Sequence, residues 1–572
     1  MLDVVIRGGE VVDGTGAARR KADVGIQGDR VVAIGTVEGE AATTIDATGK
    51  VVTPGFVDVH THYDAQVFWD DAMTPSPLHG VTTAFAGNCG FTIAPLSDDP
   101  SDGEYLMKML ARVEGMPLES LRTGVPWSWK STGEYLAAID GHVGINIGFS
   151  VGHSAIRRVV MGTESTVREA KPEELEAMRA LLRDGLEAGG LGFTSSYART
   201  HNDPDGNMVP SRYASTEELV ELARVCSEFE GTSLELIPMV GPAFEPWAVQ
   251  LMTDMSAAAQ RPINWNVMAV NAANLGDCEG KLDAGTFAAK HGARVVALTI
   301  PMSFPLRLSF RSGFVLDAMP SWESVMLLPL GEKLAVFRDP DQRRALNDAA
   351  QSDANPLKGL AQWERMRIFD VFAAENEQYR GKTVGEIAEA EGRDPWDVLT
   401  SIALADDLNT GFGTTPLPES ADDWKARVQV WRDRRALIGA SDAGAHLDMF
   451  STANYATRFL GAVRDHSLMP LEEAVSLITQ VPAELYGLRE RGEVREGWKA
   501  DLTVFDPARI DSDPVAMRYD LPGGAGRLFA DAIGVRDVLV NGTPIVRDGA
   551  LTSDRPGTVL RSGRDTTNGA MA

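Results

Sequence analysis

Between residues 53 and 487, short apolar runs typical of buried strands alternate with longer segments that have helical periodicity. The strand-like runs begin near residues 56, 81, 145, 192, 233, 263, 293 and 436. Strands that alternate with helices indicate a parallel sheet covered by helices. Over this length the pattern predicts an α/β fold, a TIM-like (β/α)8 barrel, with its active site at the C-terminal ends of the strands.

The two ends of the chain have a different sequence pattern, in which runs of β-branched residues are bounded by Gly or Asp-Gly. Asn541 and Gly542 lie between two apolar runs, which is a strong hairpin signal. We predict that residues 1–52 and 488–559 together build a small β-sandwich. Residues 53–487 then form the barrel, and the polar tail 560–572 is expected to be disordered.

Two stretches do not fit the alternation of strands and helices. Residues near 99–142 are mostly helical or irregular and contain Trp127 and Trp129, and residues near 302–435 are long and contain Pro and Trp. Segments that lie over a rigid scaffold often carry its binding site. We therefore interpret both stretches as insertions over the mouth of the barrel, where they would form the substrate pocket.

His60 and His62 stand at the end of the first of these apolar runs, after Phe56 and Val57. Side chains at positions i and i+2 of a strand share one face. Both imidazoles can therefore reach one cation, which predicts a metal site. The alternative is a pair of hydrogen-bonded polar residues where a strand ends.

Cys89 and Asp442 follow two other strand-like runs. Cys89 lies in Gly-Asn-Cys-Gly just after the run that ends near Ala86, and a thiolate is a good zinc ligand. Asp442 follows Leu437 and Ile438, where a carboxylate could bind the metal and also take a proton from water. The alternatives are a small buried hydrophobe for Cys89 and a helix N-cap for Asp442.

A further set of polar residues lies at strand ends or in the segments that follow them. An arginine can bind a carboxylate through two parallel hydrogen bonds, and the neighbouring histidines and tyrosine can hold a carbonyl or a loop. The predicted substrate-binding residues are His153, Arg157, Tyr197, Arg199 and His446. For each of them, structural hydrogen bonding or surface ion pairing is the alternative.

The composition of the chain limits which classes of partner are expected. A formal net charge of -27 repels phosphate backbones, so no nucleic acid is expected as a partner. No apolar run approaches the roughly 20 residues needed to span a bilayer, so no membrane partner is expected. The chain has three cysteines and an N-terminus without a long apolar region, which favours a cytoplasmic enzyme. Homo-oligomerisation is left open.

Several motifs together resemble a known family. They are Pro54-Gly-Phe-Val-Asp-Val-His-Thr-His62, Ser441-Asp442, Thr479-Gln-Val-Pro-Ala-Glu-Leu-Tyr-Gly-Leu488 and Arg491-Gly-Glu-Val-Arg-Glu-Gly-Trp-Lys-Ala-Asp-Leu-Thr-Val-Phe-Asp506. Their order is similar to that of the amidohydrolase superfamily. The segments 87–90, 152–157 and 189–196 resemble its N-acyl-D-amino-acid deacylase (D-aminoacylase) branch. The resemblance covers nearly the whole chain.

That resemblance implies a metal-dependent hydrolase with a barrel and a β-sandwich. His60, His62 and Cys89 match the metal ligands of the family, and Asp442 matches the metal-binding catalytic acid/base. D-aminoacylases usually also offer a histidine at the ends of the fifth and sixth barrel strands. In this chain the corresponding runs carry Glu235 and Asn264, with Asn266 nearby, and no histidine.

The missing histidines favour one Zn2+ over two. Two ions stay an alternative, and Glu235 or Asn264 would then replace the missing histidines as ligands. The predicted reaction is hydrolysis of the amide bond of an N-acyl amino acid or a similar small N-acyl compound by metal-activated water. Two alternatives are open: the same scaffold hydrolysing a cyclic amide, carbamate or lactone, and a non-catalytic descendant of the family.

Overall fold

The chain was analysed as a computed structural model that describes residues 1–313, 315–355, 357–416 and 418–571. Its first 54 residues contain strands and turns only. The strands are β1 (Leu2–Val11), β2 (Arg20–Gln27), β3 (Arg30–Gly35), β4 (Ala41–Asp46) and β5 (Val51–Pro54).

Strands and helices then alternate through the middle of the chain. The strands are β6 (Phe56–Asp58), β7 (Val81–Ala86), β8 (Asn146–Phe149), β9 (Val151–Gly152), β10 (Gly192–Ser196), β11 (Ser233–Ile237), β12 (Ile263–Ala269), β13 (Val295–Ile300), β14 (Leu306–Leu308), β15 (Arg367–Asp370), β16 (Gly411–Thr414) and β17 (Ala436–Ile438). The remaining strands follow the last helix and are β18 (Leu502–Phe505), β19 (Asp511–Ser512), β20 (Ala516–Arg518), β21 (Arg527–Phe529), β22 (Ala532–Ile533), β23 (Val535–Val540), β24 (Thr543–Arg547) and β25 (Ala550–Leu551).

The helices all lie between the first and last groups of strands. They are α1 (Pro100–Val113), α2 (Leu118–Gly124), α3 (Thr132–Ile139), α4 (His153–Met161), α5 (Pro172–Glu187), α6 (Thr216–Val225), α7 (Pro246–Ala259), α8 (Leu275–Lys290), α9 (Glu323–Met326), α10 (Leu330–Arg338), α11 (Pro340–Gln351), α12 (Val384–Glu391), α13 (Pro395–Ala405), α14 (Ala421–Trp431), α15 (Tyr455–His466), α16 (Leu471–Leu477) and α17 (Gln480–Leu485). In the part of the chain that the structure describes, no helix combines the length and the apolar character needed to cross a bilayer.

Two parallel sheets form the core of the middle region. Strands β6, β7 and β8 pair in that order, and β9, β10, β11, β12, β13 and β17 pair in that order. Only Ser150 separates β8 from β9, so one chain segment passes from the first sheet to the second. Nearly every residue of these strands is buried, as expected for parallel strands covered on both faces. The α/β class and the parallel pairing are confirmed.

The first and last strands of this series meet just past their C-terminal ends. The Asp442 amide donates a hydrogen bond to the His60 carbonyl at 3.2 Å, and the His62 amide donates one to the Ala443 carbonyl at 2.7 Å. The segments after β6 and β17 therefore run side by side. This contact brings the residues that follow both strands to one place.

The two ends of the chain are joined in one sheet, with β5 antiparallel to β18. Its order is β25-β24-β23-β18-β5-β1-β2-β3, with β4 also paired to β1. In this sheet β1 pairs with β4 through residues 2–7 and with β5 through its last two residues, so that the pairing continues from one strand to the next. The β-sandwich expected from the two chain ends stays a prediction.

Both predicted insertions contain structure of their own. Residues 99–142 hold α1, α2 and α3, and residues 302–435 hold α9 to α14 and the antiparallel sheet β14-β16-β15. The second insertion has a separate aromatic core, in which Phe310 contacts Trp322 and Trp396.

The C-terminal tail differs from the disordered segment predicted for 560–572. Leu560 is fully buried, and its amide donates to the Ile147 carbonyl at 2.8 Å. The Thr567 amide donates to the Gly487 carbonyl at 2.7 Å. Residues 560–571 therefore lie along the body of the protein, because the apolar pair Val559 and Leu560 anchors a segment that otherwise looks polar.

Candidate metal centre

His60 and His62 lie directly after β6 and point into one buried space. Their ring centroids are 5.2 Å apart, and both side chains are almost completely shielded from solvent. The backbone between them is fixed, because the Thr61 amide donates to the Phe85 carbonyl at 2.9 Å. The i, i+2 spacing therefore brings the two imidazoles together, as the sequence predicts.

Cys89 joins them from the turn after β7. Its Sγ lies 3.6 Å from His60 Nε2 and 3.9 Å from His62 Nε2. The three donor atoms all lie within 4.8 Å of one another. Cys89 has a φ of +58°, in the left-handed region, which an ordinary residue adopts only where the surroundings hold it there.

Asp442, in the segment after β17, is the fourth side chain of the cluster. Its Oδ1 lies 3.1 Å from His60 Nε2 and 3.6 Å from His62 Nε2. The side chain keeps 24% of its surface exposed, in contrast to the histidines. Asp442 also has a left-handed φ, of +50°. Its carboxylate therefore faces both the cluster and the adjoining pocket.

The spacing of these four donors fits one zinc ion. Zinc bonds of about 2.0–2.1 Å to nitrogen and about 2.3 Å to sulfur separate neighbouring tetrahedral donors by about 3.4–3.6 Å. The four separations that join either histidine Nε2 to Cys89 Sγ or to Asp442 Oδ1 run from 3.1 to 3.9 Å. Two imidazoles, a thiolate and a carboxylate are also a chemically suitable donor set for zinc.

Glu114, which the sequence analysis did not single out, also faces the cluster. It follows the last residue of α1, and its Oε2 lies 3.6 Å from His62 Nε2 and 3.9 Å from His446 Nε2. Its side chain is only 3% exposed. No local motif in the sequence identifies Glu114 as a site residue, because it lies at the end of a helix inside an insertion.

Glu235 and Asn264, the predicted substitutes for the missing histidines, belong to a chain of hydrogen bonds. Glu235 accepts from the Cys89 amide at 2.7 Å and from the side-chain amide of Asn266. Asn264 donates to Asn266 at 3.2 Å and accepts from the Tyr486 hydroxyl at 2.6 Å. Both oxygens of Glu235 are thus engaged, and one of them holds the Cys89 backbone.

The cluster has an electrostatic character that suits a cation. Burial disfavours a charged His62, yet the nearby carboxylates of Glu114 and Asp442 raise its pKa to about 9. Burial likewise disfavours an ionised Asp442, but hydrogen bonds from His60 and His62 lower its pKa well below the usual value. Burial and the surrounding carboxylates raise the pKa of the Cys89 thiol. A metal that binds here has to displace protons from its ligands.

The predicted substrate-binding residues separate into two groups. His446 lines a pocket of about 260 Å³ together with His60, His62, Asp442 and Glu114. The same pocket is lined by His201 and Lys281, which sequence reasoning did not assign a role there. A larger cavity of about 1090 Å³, lined by residues of both insertions, shares His446 with it.

His153 and Arg157 are not among the residues that line this pocket, and their predicted contact with substrate stays a prediction. Both are fully buried. His153 bonds Ser195 Oγ through Nδ1 and Glu218 Oε1 through Nε2, each at 2.8 Å. Arg157 donates to both oxygens of Glu218 at 2.6 and 2.5 Å. Glu218, which is 61 positions from Arg157, closes this network.

Tyr197 and Arg199 are also outside the residues that line the 260 Å³ pocket. The Tyr197 hydroxyl donates to the Ala214 carbonyl, and its ring packs edge-on against Trp247. Arg199 is exposed in the loop after β10. The ring and hydroxyl of Tyr197 thus contact other protein groups, and the predicted substrate contact of Tyr197 and Arg199 stays a prediction.

Comparison with known proteins agrees with the geometry. The model of the amidohydrolase family matches residues 43–546. A D-aminoacylase of Alcaligenes xylosoxydans xylosoxydans is 26% identical over 98% of this chain and 97% of its own length. An N-acyl-D-glutamate deacylase of the same organism is 28% identical over 98% of this chain and 96% of its own length.

A solved structure shows the same overall likeness. It is an N-acyl-D-glutamate deacylase from Bordetella bronchiseptica, complexed with zinc and a phosphonate inhibitor that mimics the tetrahedral intermediate of the reaction. Its TM-score to this chain is 0.65 at 25% sequence identity, over 98% of this chain and 99% of the other.

Proposed function

The chain belongs to the amidohydrolase family, and from this membership and the cluster at the strand ends we propose that it is a zinc-dependent hydrolase. Its proposed reaction is cleavage of the amide bond in N-acyl amino acids or similar N-acyl compounds. The observation that carries the proposal is the convergence of His60, His62, Cys89 and Asp442 at separations that fit one ion. The names of the two deacylase relatives support the substrate class.

We also propose that residues 53–487 form a closed (β/α)8 barrel around this site. The parallel strands pair in chain order from β6 to β17, and the hydrogen bonds between the segments after β6 and β17 support closure. Residues 1–52 and 488–559 form the second domain in this proposal. The metal ligands would then follow three strands of one barrel, at its C-terminal face.

One zinc ion is the proposed cofactor, held by His60, His62, Cys89 and Asp442. The hydrogen-bonded Glu235 and Asn264 support a single ion, since their side chains already bond other groups of the protein. When bound, zinc would activate a water molecule and polarise the scissile carbonyl. The protein residues then have to bind the substrate and move the protons.

Asp442 is the proposed general acid/base. Its partial exposure lets one carboxylate oxygen face the pocket while Oδ1 faces the histidines. In this position it can take the proton of the attacking water and return it to the leaving nitrogen. His446, on the pocket wall, is the proposed contact for the substrate carbonyl or carboxylate.

The first experiment combines metal analysis with a substrate panel. We expect about one zinc per chain after gentle purification, and release of free amino acid from at least one N-acyl-D- or N-acyl-L-amino acid. Turnover of cyclic amides or lactones alone would move the proposal to the second reaction class. A chain with neither metal nor turnover would be a non-catalytic descendant.

The second experiment is the substitution Asp442→Asn. We expect kcat/KM to fall by about 10²- to 10⁴-fold, the usual contribution of a general acid/base. Zinc content should stay near the wild-type level, because the asparagine Oδ1 can still bind the ion although the side chain cannot accept a proton. Asp422→Asn on α14, whose side chain is 76% exposed, is the matched control and should leave both quantities unchanged. Wild-type turnover in Asp442→Asn would contradict the assignment.

A further inference from the structure

Glu114 is a buried carboxylate that the first insertion carries to the proposed metal centre. It caps the C-terminal end of α1, and the His446 amide donates a hydrogen bond to its carbonyl. The next residue, Gly115, has a φ of +57°, and a Cβ there would lie 3.2 Å from the His446 Cα. The end of α1 and the segment after β17 are therefore locked together, which fixes where the Glu114 side chain points.

The carboxylate of Glu114 has few charged neighbours to balance it. In the described part of the chain its ion-pair partners are His62 and His446, with no lysine or arginine within 4.0 Å. Burying an ionised carboxylate without a compensating charge is unfavourable. Asp442 adds a second carboxylate at the same histidine, with His60 and His62 as its ion-pair partners. A metal that binds His62 displaces the ring's proton, so the positive charge that balances these two carboxylates then has to come from the ion.

The geometry shows on which side of His62 that charge belongs. Glu114 Oε2 approaches His62 at Nε2, at 3.6 Å, and this is the same nitrogen that faces Cys89 Sγ and Asp442 Oδ1. A residue that only oriented the ring would bond the other nitrogen, Nδ1, as outer-shell partners of metal-bound histidines do. Glu114 therefore faces the space in which the ion would lie.

We propose that Glu114 is a direct carboxylate ligand of the metal ion. It would be a fifth donor, supplied by the inserted helix α1, in a chain whose β11 and β12 lack the histidines of related enzymes. Catalytic zinc sites can expand from four to five ligands, and a carboxylate is a suitable additional donor. The inference rests on the proposed function, because it presupposes that the cluster binds a metal.

The test compares metal binding in the wild-type protein with that in Glu114→Gln and Glu114→Asp. Zinc affinity is measured by competition with a chromophoric chelator. The visible spectrum of the cobalt-substituted protein reports coordination number, since absorption is stronger for four ligands than for five. Glu119→Gln is the matched control, because Glu119 is an exposed glutamate in the same insertion.

The expected result is a loss of zinc affinity in Glu114→Gln that exceeds about 100-fold, the upper end of the effect of changing an outer-shell partner. Its cobalt spectrum should become more intense, as one ligand is lost. Glu114→Asp keeps the charge and should recover part of the affinity, while Glu119→Gln should match the wild type. Thermal unfolding of each variant shows whether it is folded.

A folded Glu114→Gln with wild-type zinc affinity and an unchanged cobalt spectrum would overturn the inference and leave the proposed function intact. If the Gln variant misfolds, the comparison rests on Glu114→Asp, whose shorter side chain should weaken zinc binding and shift the cobalt spectrum relative to Glu119→Gln. A folded Glu114→Asp that matches Glu119→Gln in both measurements would then overturn the inference. A wild-type protein without metal would refute both the inference and the proposed function.

Discussion

Two buried clusters in this protein use the same side chains in opposite ways. The metal cluster contains His60 and His62 beside Asp442, and the closed cluster contains His153 beside Glu218 and Arg157. In the closed cluster both ring nitrogens of His153 are bonded to protein atoms. In the metal cluster the Nδ1 atoms of both histidines are buried without a partner among the described residues.

The difference in charge balance explains what each cluster can do. Arg157 supplies the closed cluster with a permanent cation that donates to both oxygens of Glu218. The two carboxylates at the metal cluster, Glu114 and Asp442, have histidines as their only ion-pair partners in the described ranges. The first arrangement is balanced by a permanent cation of the protein, whereas the second relies on a protonated histidine or on a bound cation. The two clusters therefore differ in whether a metal ion can take the place of a proton.

The largest expected effect separates the two clusters by their metal content. His60→Ala removes one of the four proposed donors and should weaken zinc binding by more than the about 10- to 100-fold that loss of an outer-shell partner causes. His153→Ala should keep stoichiometric zinc and lose about 1–3 kcal/mol of stability, because it leaves part of a buried hydrogen-bond network unpaired. Metal analysis and denaturant unfolding of both variants measure the contrast. Zinc loss from His153→Ala would show that the clusters are not independent.

A loss of stability without loss of zinc is expected when the closed cluster loses its carboxylate. Glu218→Gln leaves the Arg157 guanidinium buried without its counter-ion, which typically costs about 3–5 kcal/mol. The neighbouring Glu217 is exposed, so Glu217→Gln is the matched control and should change stability little. Equilibrium unfolding in urea measures both. A Glu218→Gln variant as stable as its control would mean that the ion pair does not contribute to stability.

The sequence is sufficient to locate those proposed ligands that follow strands. Periodicity and strand boundaries place His60, His62, Cys89 and Asp442 at C-terminal strand ends, and parallel strands bring those ends to one edge. The strands near residues 81, 192, 233 and 263 lie where the apolar runs predict them. These features are local, so a single sequence carries them.

Contacts between segments that are far apart in the sequence cannot be predicted from periodicity and strand boundaries. Glu114 looks like any acidic residue at the end of a helix, and only the docking of α1 against the segment after β17 brings it to His62. His153 and Arg157 have the residue types of a binding site, and the sequence cannot show that Glu218 closes around them. The anchoring of the tail by Leu560 is missed for the same reason, since its partner Ile147 lies in β8.

The smallest predicted effect is a pH dependence that belongs to the closed cluster. Burial lowers the pKa of His153 below its usual value, although the neighbouring Glu218 acts in the opposite direction. In the unfolded chain the pKa of the same histidine is about 6.5. The unfolded state therefore binds more protons between these two pKa values, so this contribution to stability is complete above about pH 6.5 and is lost as the pH falls.

The substitution His153→Gln isolates this contribution, because glutamine does not titrate. Its stability deficit relative to the wild type should shrink below pH 6.5, by at most about 1.4 kcal/mol per pH unit, the limit for one proton. Urea unfolding at pH 7.5, 6.5 and 5.5 measures the deficit, with the exposed His142→Gln as a control for the replacement of a histidine.

Glu218 also contributes stability that is lost as the pH falls: burial would raise its pKa, but His153 and Arg157 lower it overall. Because the pKa of this carboxylate lies below its usual value, the change between pH 7.5 and 5.5 reports on His153. A deficit that grows as the pH falls would mean that His153 is charged in the folded protein, and the closed cluster would then resemble the metal cluster in its charge.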